Sequence, residues 1–137
     1  QEQRTHDAAC VIGTAVTNAN DGLGRIVRSE DGEILRIVEQ RDATPGEAAI
    51  REVNTSCYVF DNHSLAGALA QIRPENKRGE YYLTDCPAVL KAQGKRVIAT
   101  RRLDVVEAMN VNTPQQLAEV ERTIERIRSR ELTLADV

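Results

Sequence analysis

Residues 25–39 read RIVRSEDGEILRIVE, two alternating apolar runs on either side of Asp31-Gly32. No other segment restricts the fold as tightly. Alternation at period two marks a half-buried strand, and an Asp-Gly pair between two such runs is a strong hairpin signal. The tightest form of that turn needs φ > 0 at both central positions. Ile26, and Ile34 with its alternating partners, are expected to face the core. A hairpin here puts an antiparallel pair into whatever sheet the chain builds.

The remaining elements follow from local pattern. Cys10-Val11-Ile12-Gly13-Thr14-Ala15-Val16 is a strand-like apolar run. Residues 40–50, QRDATPGEAAI, carry Asp, Thr, Pro and Gly and read as a surface loop. Residues 51–60, REVNTSCYVF, are rich in β-formers. Asp61 or Asn62 is placed to cap a following helix, with Leu65, Leu69 and Ile72 on one face. Pro74 to Gly79 is a polar loop. Thr84 or Asp85 is placed to cap a second helix, with Pro87 in its first turn and Gly94 ending it. Lys95 to Thr100 is a short strand, and Leu103 to Met109 a turn or short helix. Thr113-Pro114-Gln115-Gln116 joins a capping box to a first-turn proline. Leu117, Val120, Ile124 and Ile127 then form a narrow apolar stripe on a long last helix. Strands interleaved with helices predict the α/β class, and the hairpin predicts a mixed sheet.

The chain has 137 residues and a net charge of −3. That balance argues against nucleic acid as a partner, whose readers carry clustered basic surface. No apolar run approaches the roughly 18 residues of a membrane span, so no membrane partner is expected. Cys10, Cys57 and Cys86 show no metal-ligand spacing and read as reduced thiols, which points to a cytoplasmic setting.

Candidate chemistry sits at the ends of the expected strands, where open α/β sheets bind ligands. Glu39 closes the second hairpin strand and can accept hydrogen bonds from hydroxyls; alone, it reads as an exposed strand-end carboxylate. Asn54 lies inside a β-rich run where Asn is disfavoured, so either a bulge or a ligand accounts for it. Gly24 follows Gly22-Leu23 and reads equally as a strand-initiating turn. Spacing lets Glu80 and Tyr82 point into one cavity, while Thr84 reads equally as a cap. Asn110 and Asn112 precede the last helix, where turn chemistry also accounts for them. His6 and His63 have no partner pattern. No residue is assigned a catalytic role.

Five motifs occur in fixed order: GLGRIV at 22–27, IVEQRDAT at 37–44, EVNT at 52–55, GEYYLTD at 79–85 and NVNT at 110–113. Their order and wording resemble the uridylyltransferase domain of bifunctional N-acetylglucosamine-1-phosphate uridylyltransferases. That resemblance implies the second half of a Rossmann-like nucleotidyltransferase domain. Residues 1–112 would form its sugar-binding half and residues 113–137 the C-terminal helix and linker. It implies a substrate-binding wall of Gly24, Glu39, Asn54, Glu80, Tyr82 and Thr84. It also implies Mg²⁺ as cofactor, held through Asn112. The substrates would be a sugar 1-phosphate and a nucleoside triphosphate. Leu23, Gln40-Arg41 and Ser56 depart from the family wording, which has Tyr, a basic or His residue with Lys, and Gly there.

The family's glycine-rich phosphate loop has no counterpart here, and the chain opens Gln1-Glu2-Gln3-Arg4 without Met. The expectation is therefore a half-site, inert alone, that forms a homo-oligomer or pairs with a missing N-terminal half. A nucleotidyltransferase for another sugar or nucleotide, and a non-catalytic sugar-nucleotide-binding module, are the alternatives.

Overall fold

The computed structural model describes residues 2–103, 106, 109, 111 and 113–129. Five strands form one mixed sheet in the order β3-β2-β4-β1-β5. They are β1 (Cys10–Val16), β2 (Arg25–Arg28), β3 (Ile34–Val38), β4 (Glu52–Phe60) and β5 (Val97–Thr100). β1 pairs antiparallel with β4 and parallel with β5. Helices α1 (Glu2–His6), α2 (Pro45–Ala48), α3 (Asn62–Leu69), α4 (Cys86–Ala92) and α5 (Pro114–Arg128) complete the chain, with a 3₁₀ turn at Leu83–Asp85 before α4.

The α/β class and the mixed sheet agree with the sequence reading. The hairpin forms where expected, β2 against β3, but its turn is of another type. The Gly32 amide donates to Ser29 O at 3.0 Å and the Ser29 amide to Glu33 O at 2.8 Å. Among these positions only Gly32 has φ > 0, at 82°. Asp31 does not, so the connection is the longer kind, in which one left-handed glycine reverses the chain. The pairing also slips: Val27 faces Arg36, yet Arg28 faces Ile34. Leu35 is the extra residue. This bulge breaks the expected alternation, so Ile34 and Ile37 share the core face while Leu35 and Arg36 are exposed.

One face of the sheet is closed by α3 and α4. Cys10, Ile12, Ile26, Ile34, Ile37, Ala68, Ile72, Cys86, Leu90 and Val97 form that core. Burial pushes the Cys10 thiol up to about 12, as befits an inert packing residue. On α3 it is Ser64 and Ala68 that are buried, and Leu69 is exposed. The expected Leu65-Leu69-Ile72 face is therefore rotated, with Leu65 packed at the core's edge and Ile72 buried just past the helix. The loop at 40–50 contains the one-turn α2. Thr44 caps it, and Glu47 returns a bond to the Thr44 amide. The T-x-x-E spacing was a legible capping box.

The opposite face is covered only in part, by a cluster of Ala15, Leu23 and Val53. Beside it lies a groove of about 750 Å³ lined by Val11, Gly13, Cys57, Val59 and Leu103 among others. On α5, Thr113 Oγ1 accepts the Gln116 amide at 3.2 Å, as its sequence requires. None of its described residues is buried; Leu117 and Ile124 of the stripe are exposed, and Val120 and Ile127 are half-buried.

β4 carries the sheet's main irregularity. Ile12 faces Tyr58 and Thr14 faces Asn54, so two steps on β1 match four on β4. Ser56 sits inside this bulge at φ 61°, a left-handed conformation that costs a side-chain-bearing residue about 1–2 kcal/mol. Glycine avoids that cost but loses more chain entropy on folding. Ser56→Gly is expected to stabilise the fold by about 0.5–1 kcal/mol net. Urea unfolding checks this; an unchanged or lower midpoint rejects the strain.

Candidate functional site

The bulge turns Asn54 toward the hairpin's open end. Asn54 is buried, and both ends of its amide are engaged. Its Oδ1 accepts the Ser56 amide at 3.1 Å and its Nδ2 donates to the Tyr58 hydroxyl at 2.7 Å. Its backbone amide donates to Gly24 O at 2.9 Å. A carbon added at Gly24 would stand 3.1 Å from Ile37 Cγ2, 3.6 Å from Asn54 Cβ and 3.7 Å from Glu39 Oε1. Gly24, Glu39 and Asn54 thus converge on one point from three separate motifs.

Thr84 joins them from a fourth. Its hydroxyl donates to Glu39 Oε1 at 2.8 Å. The capping role expected as its alternative is not taken: Asp85 occupies the N-cap position of α4, without a side-chain cap bond. Glu39 and Tyr82 line a cleft of about 770 Å³ together with Asp21, Gly22, Gln40, Arg41, Arg78, Thr113 and Gln116. That size suits a ligand of drug-like dimensions. Glu80 is more peripheral. It is half-exposed and pairs with Arg78 at 3.2 Å.

Asp21 and Glu39 line the cleft with Arg41 and Arg78, and further carboxylates stand nearby. Burial raises the Tyr82 hydroxyl above its ordinary range, and Asp42, Glu80 and Glu39 add to the shift. Burial likewise raises the Asp85 carboxyl, with Glu39 and Asp42 contributing. Asp42 Oδ1 accepts the Lys77 amide at 3.2 Å, whereas Asp42 Oδ2 is buried with no partner. Such a field favours ligands that bring hydroxyl and amide donors.

The chain is 46% identical over 114 residues to the bifunctional protein GlmU of Brevibacillus brevis, a match covering 83% of the chain and 25% of that protein. It is 42% identical over 123 residues to the Pelotomaculum thermopropionicum GlmU, covering 90% of the chain and 27% of the relative. The Lactobacillus delbrueckii subsp. bulgaricus GlmU is 43% identical over 120 residues, covering 88% and 26%. The chain belongs to the GlmU family. It spans about a quarter of the length of these GlmU relatives. No family model matches it.

Within this GlmU stretch, the structure joins Gly24, Glu39, Asn54 and Thr84 by contact, sets Tyr82 in the same cleft, and leaves Glu80 at its margin. Asn110 and Asn112 lie outside the described residues. Leu23, where the family wording has Tyr, is buried with Ala15 and Val53. Asp42, Gln40 and Arg25 escaped the sequence reading. Their signal was adjacency, since each sits inside a motif beside or near a residue already singled out. No helix among the described residues is long and apolar enough to cross a membrane.

Proposed function

We propose that this chain forms the sugar-phosphate-binding part, the C-terminal half, of a uridylyltransferase domain. The reaction is N-acetylglucosamine 1-phosphate plus UTP giving UDP-N-acetylglucosamine and pyrophosphate. The observation that carries this reading is the meeting of Gly24, Asn54 and Thr84 around Glu39, which with Tyr82 lines the adjoining cleft, in a GlmU-family chain.

The chemistry needs little covalent help. A phosphate oxygen of the sugar 1-phosphate attacks the α-phosphorus of UTP and pyrophosphate leaves. Holding the attacking group in line and offsetting charge supply the acceleration. Glu39 accepts sugar hydroxyls, and Thr84 fixes its carboxylate. The backbone at Gly24 admits the sugar closely, since a side chain there would crowd Ile37 and come into contact with Glu39. Asn54 presents the remaining lone pair and N–H of an already anchored amide.

Mg²⁺ is held in such reactions by one or two protein oxygens plus substrate phosphates, and it offsets phosphate charge. Among the described residues no group of three His, Cys, Asp or Glu side chains stands close enough to hold a metal ion. The donor assigned by resemblance, Asn112, lies outside them. The described residues therefore do not by themselves fit a metal centre, and no step is routed through one. Association with a second copy or with further chain would cover the groove at Val11, Gly13 and Val59.

Titration of the purified chain, followed by amide NMR, tests the reading. N-acetylglucosamine 1-phosphate is expected to shift amides at Gly24, Asn54 and 79–84, with UTP leaving them unmoved. No pyrophosphate release is expected from the chain alone. Equal responses to both ligands, or shifts elsewhere, would reject the sugar assignment.

A further inference from the structure

Behind the sugar wall lies a buried guanidinium that the proposed function leaves without a role. Arg25 is 2% exposed and is the largest fully buried side chain of the chain. Its hydrogen bonds go to neutral oxygens. Nε donates to Ala48 O at 3.3 Å, Nη1 to Leu23 O, and Nη2 to Gln40 Oε1 at 2.6 Å. A buried cation is costly unless its donors are well satisfied. Burial pulls this guanidinium below its ordinary range, and the nearby Asp21 carboxylate opposes the shift.

Gln40 continues the chain of bonds. The oxygen that receives Arg25 also accepts the Gly22 amide at 3.0 Å. Its Nε2 donates to Asp21 Oδ1. The amide orientation follows from this network: two N–H donors face one end and a carboxylate faces the other. Asn20 Nδ2 adds a tie to Ile50 O at 2.8 Å. Loop 20–24, the end of β3 and the α2 segment are therefore fastened together through three side chains, Asn20, Arg25 and Gln40. Two of them are chain neighbours of wall residues: Arg25 follows Gly24, and Gln40 follows Glu39.

We propose that Arg25, buried outside the cleft lining, is a positioning residue that acts through Gln40 to set the separation of Gly24 from the Glu39 carboxylate, and so sets affinity for the sugar phosphate. The inference rests on the sugar-phosphate reading of this cleft. Leu23 packs the middle of the loop against Ala15 and Val53, while Gly22, with φ 77°, and Gly24 on either side bring no side chain of their own. The placement of those two glycines depends on the bonds that reach them from Gln40 and the bonds of Arg25 next to them. Gln40 is the adjustable member, being half-buried and reaching both the loop and Arg25.

The test is a set of NMR titrations of the full chain with N-acetylglucosamine 1-phosphate, using wild type, Gln40→Ala and the double variant Gln40→Glu with Asp21→Asn. Gln40→Ala is expected to weaken binding roughly tenfold. It should speed hydrogen exchange at the Gly22 amide and lower the melting temperature somewhat, since the buried Arg25 loses an acceptor. Gln40→Glu, made together with Asp21→Asn so that no second carboxylate faces the new one, keeps an acceptor for both Gly22 and Arg25, so it is expected to bind within about threefold of wild type. A Gln40→Ala chain that melts lower but binds as wild type would assign the pair to folding alone and overturn the inference. Affinity as low in the double variant as in Gln40→Ala would overturn it as well. Silence of the wild-type chain toward the sugar phosphate would instead remove the sugar reading, and this inference with it.

Discussion

Glu52→Ala is expected to destabilise the fold by about 3 kcal/mol at neutral pH and to remove part of its acid sensitivity. Glu52 is a buried carboxylate at the start of β4. It accepts Arg28 at 2.6 and 2.8 Å, Arg101 at 2.8 Å and the Thr14 hydroxyl at 2.9 Å. One side chain thereby joins β1, β2, β4 and the segment after β5. Arg101 is more than half exposed, so its share is small. Most of the loss comes from Arg28, only 23% exposed, and from Thr14, whose buried hydroxyl would lose its acceptor.

Burial alone would raise the Glu52 carboxyl. The bonds from Arg28, Arg101 and Thr14 outweigh it and bring the group down from 4.5 to about 2. A folded value below the unfolded one means stability that is present above the unfolded value and lost as the carboxylate protonates. The contribution is therefore full above about pH 4.5 and disappears as pH falls toward 2. Urea unfolding at pH 7, 4 and 3 would show a steeper decline in wild type than in Glu52→Ala. Parallel declines would mean that another group carries the acid sensitivity.

Glu52 also marks where the sequence stopped being legible. The strands, the hairpin and the helix starts could be read because each depends on neighbours a few residues away. Apolar alternation, Asp-Gly and Thr-Pro-Gln-Gln are local signals. The Glu52 network spans separations of 24, 38 and 49 residues, and no local pattern records it. The same limit explains the hairpin error. Asp-Gly announces a reversal, but the extra residue at Leu35 is set by how β3 meets the core beneath α4. At the site, the motifs supplied the wall residues because each lies within a recognisable word. Arg25 and Gln40 stand in the same words, yet what they do depends on backbone carbonyls of Leu23 and Ala48, which side-chain wording does not reveal. Asn54 was legible as an anomaly. Its physical reason, a bulge with Ser56 in a left-handed conformation, needed the pairing register.

Removing the Glu39 carboxylate is expected to cost the site more ligand affinity than any other single change at the wall. Glu39→Ala takes away the acceptor that Thr84 orients and leaves sugar hydroxyls unpaired inside a cleft lined by Gln40 and Tyr82. A lost bond to a charged acceptor costs about 1–3 kcal/mol, or roughly ten- to a hundredfold in affinity for N-acetylglucosamine 1-phosphate. Glu39 is half-buried and makes no contact with the Ile26–Leu90 core through its carboxylate, so the fold should survive. Thr84→Val tests the same geometry from the other side. It keeps the shape of Thr84 and the charge of Glu39 but removes the hydroxyl that donates at 2.8 Å. Its expected cost is smaller, about threefold to tenfold, because Glu39 remains able to accept from the sugar in a less fixed orientation. Isothermal titration of the two variants and the double variant separates the contributions. If Thr84 acts through Glu39, adding Thr84→Val to Glu39→Ala should weaken binding little further. Fully additive losses would show that Thr84 contacts the ligand independently, and an unaltered affinity in Glu39→Ala would remove this carboxylate from the sugar wall.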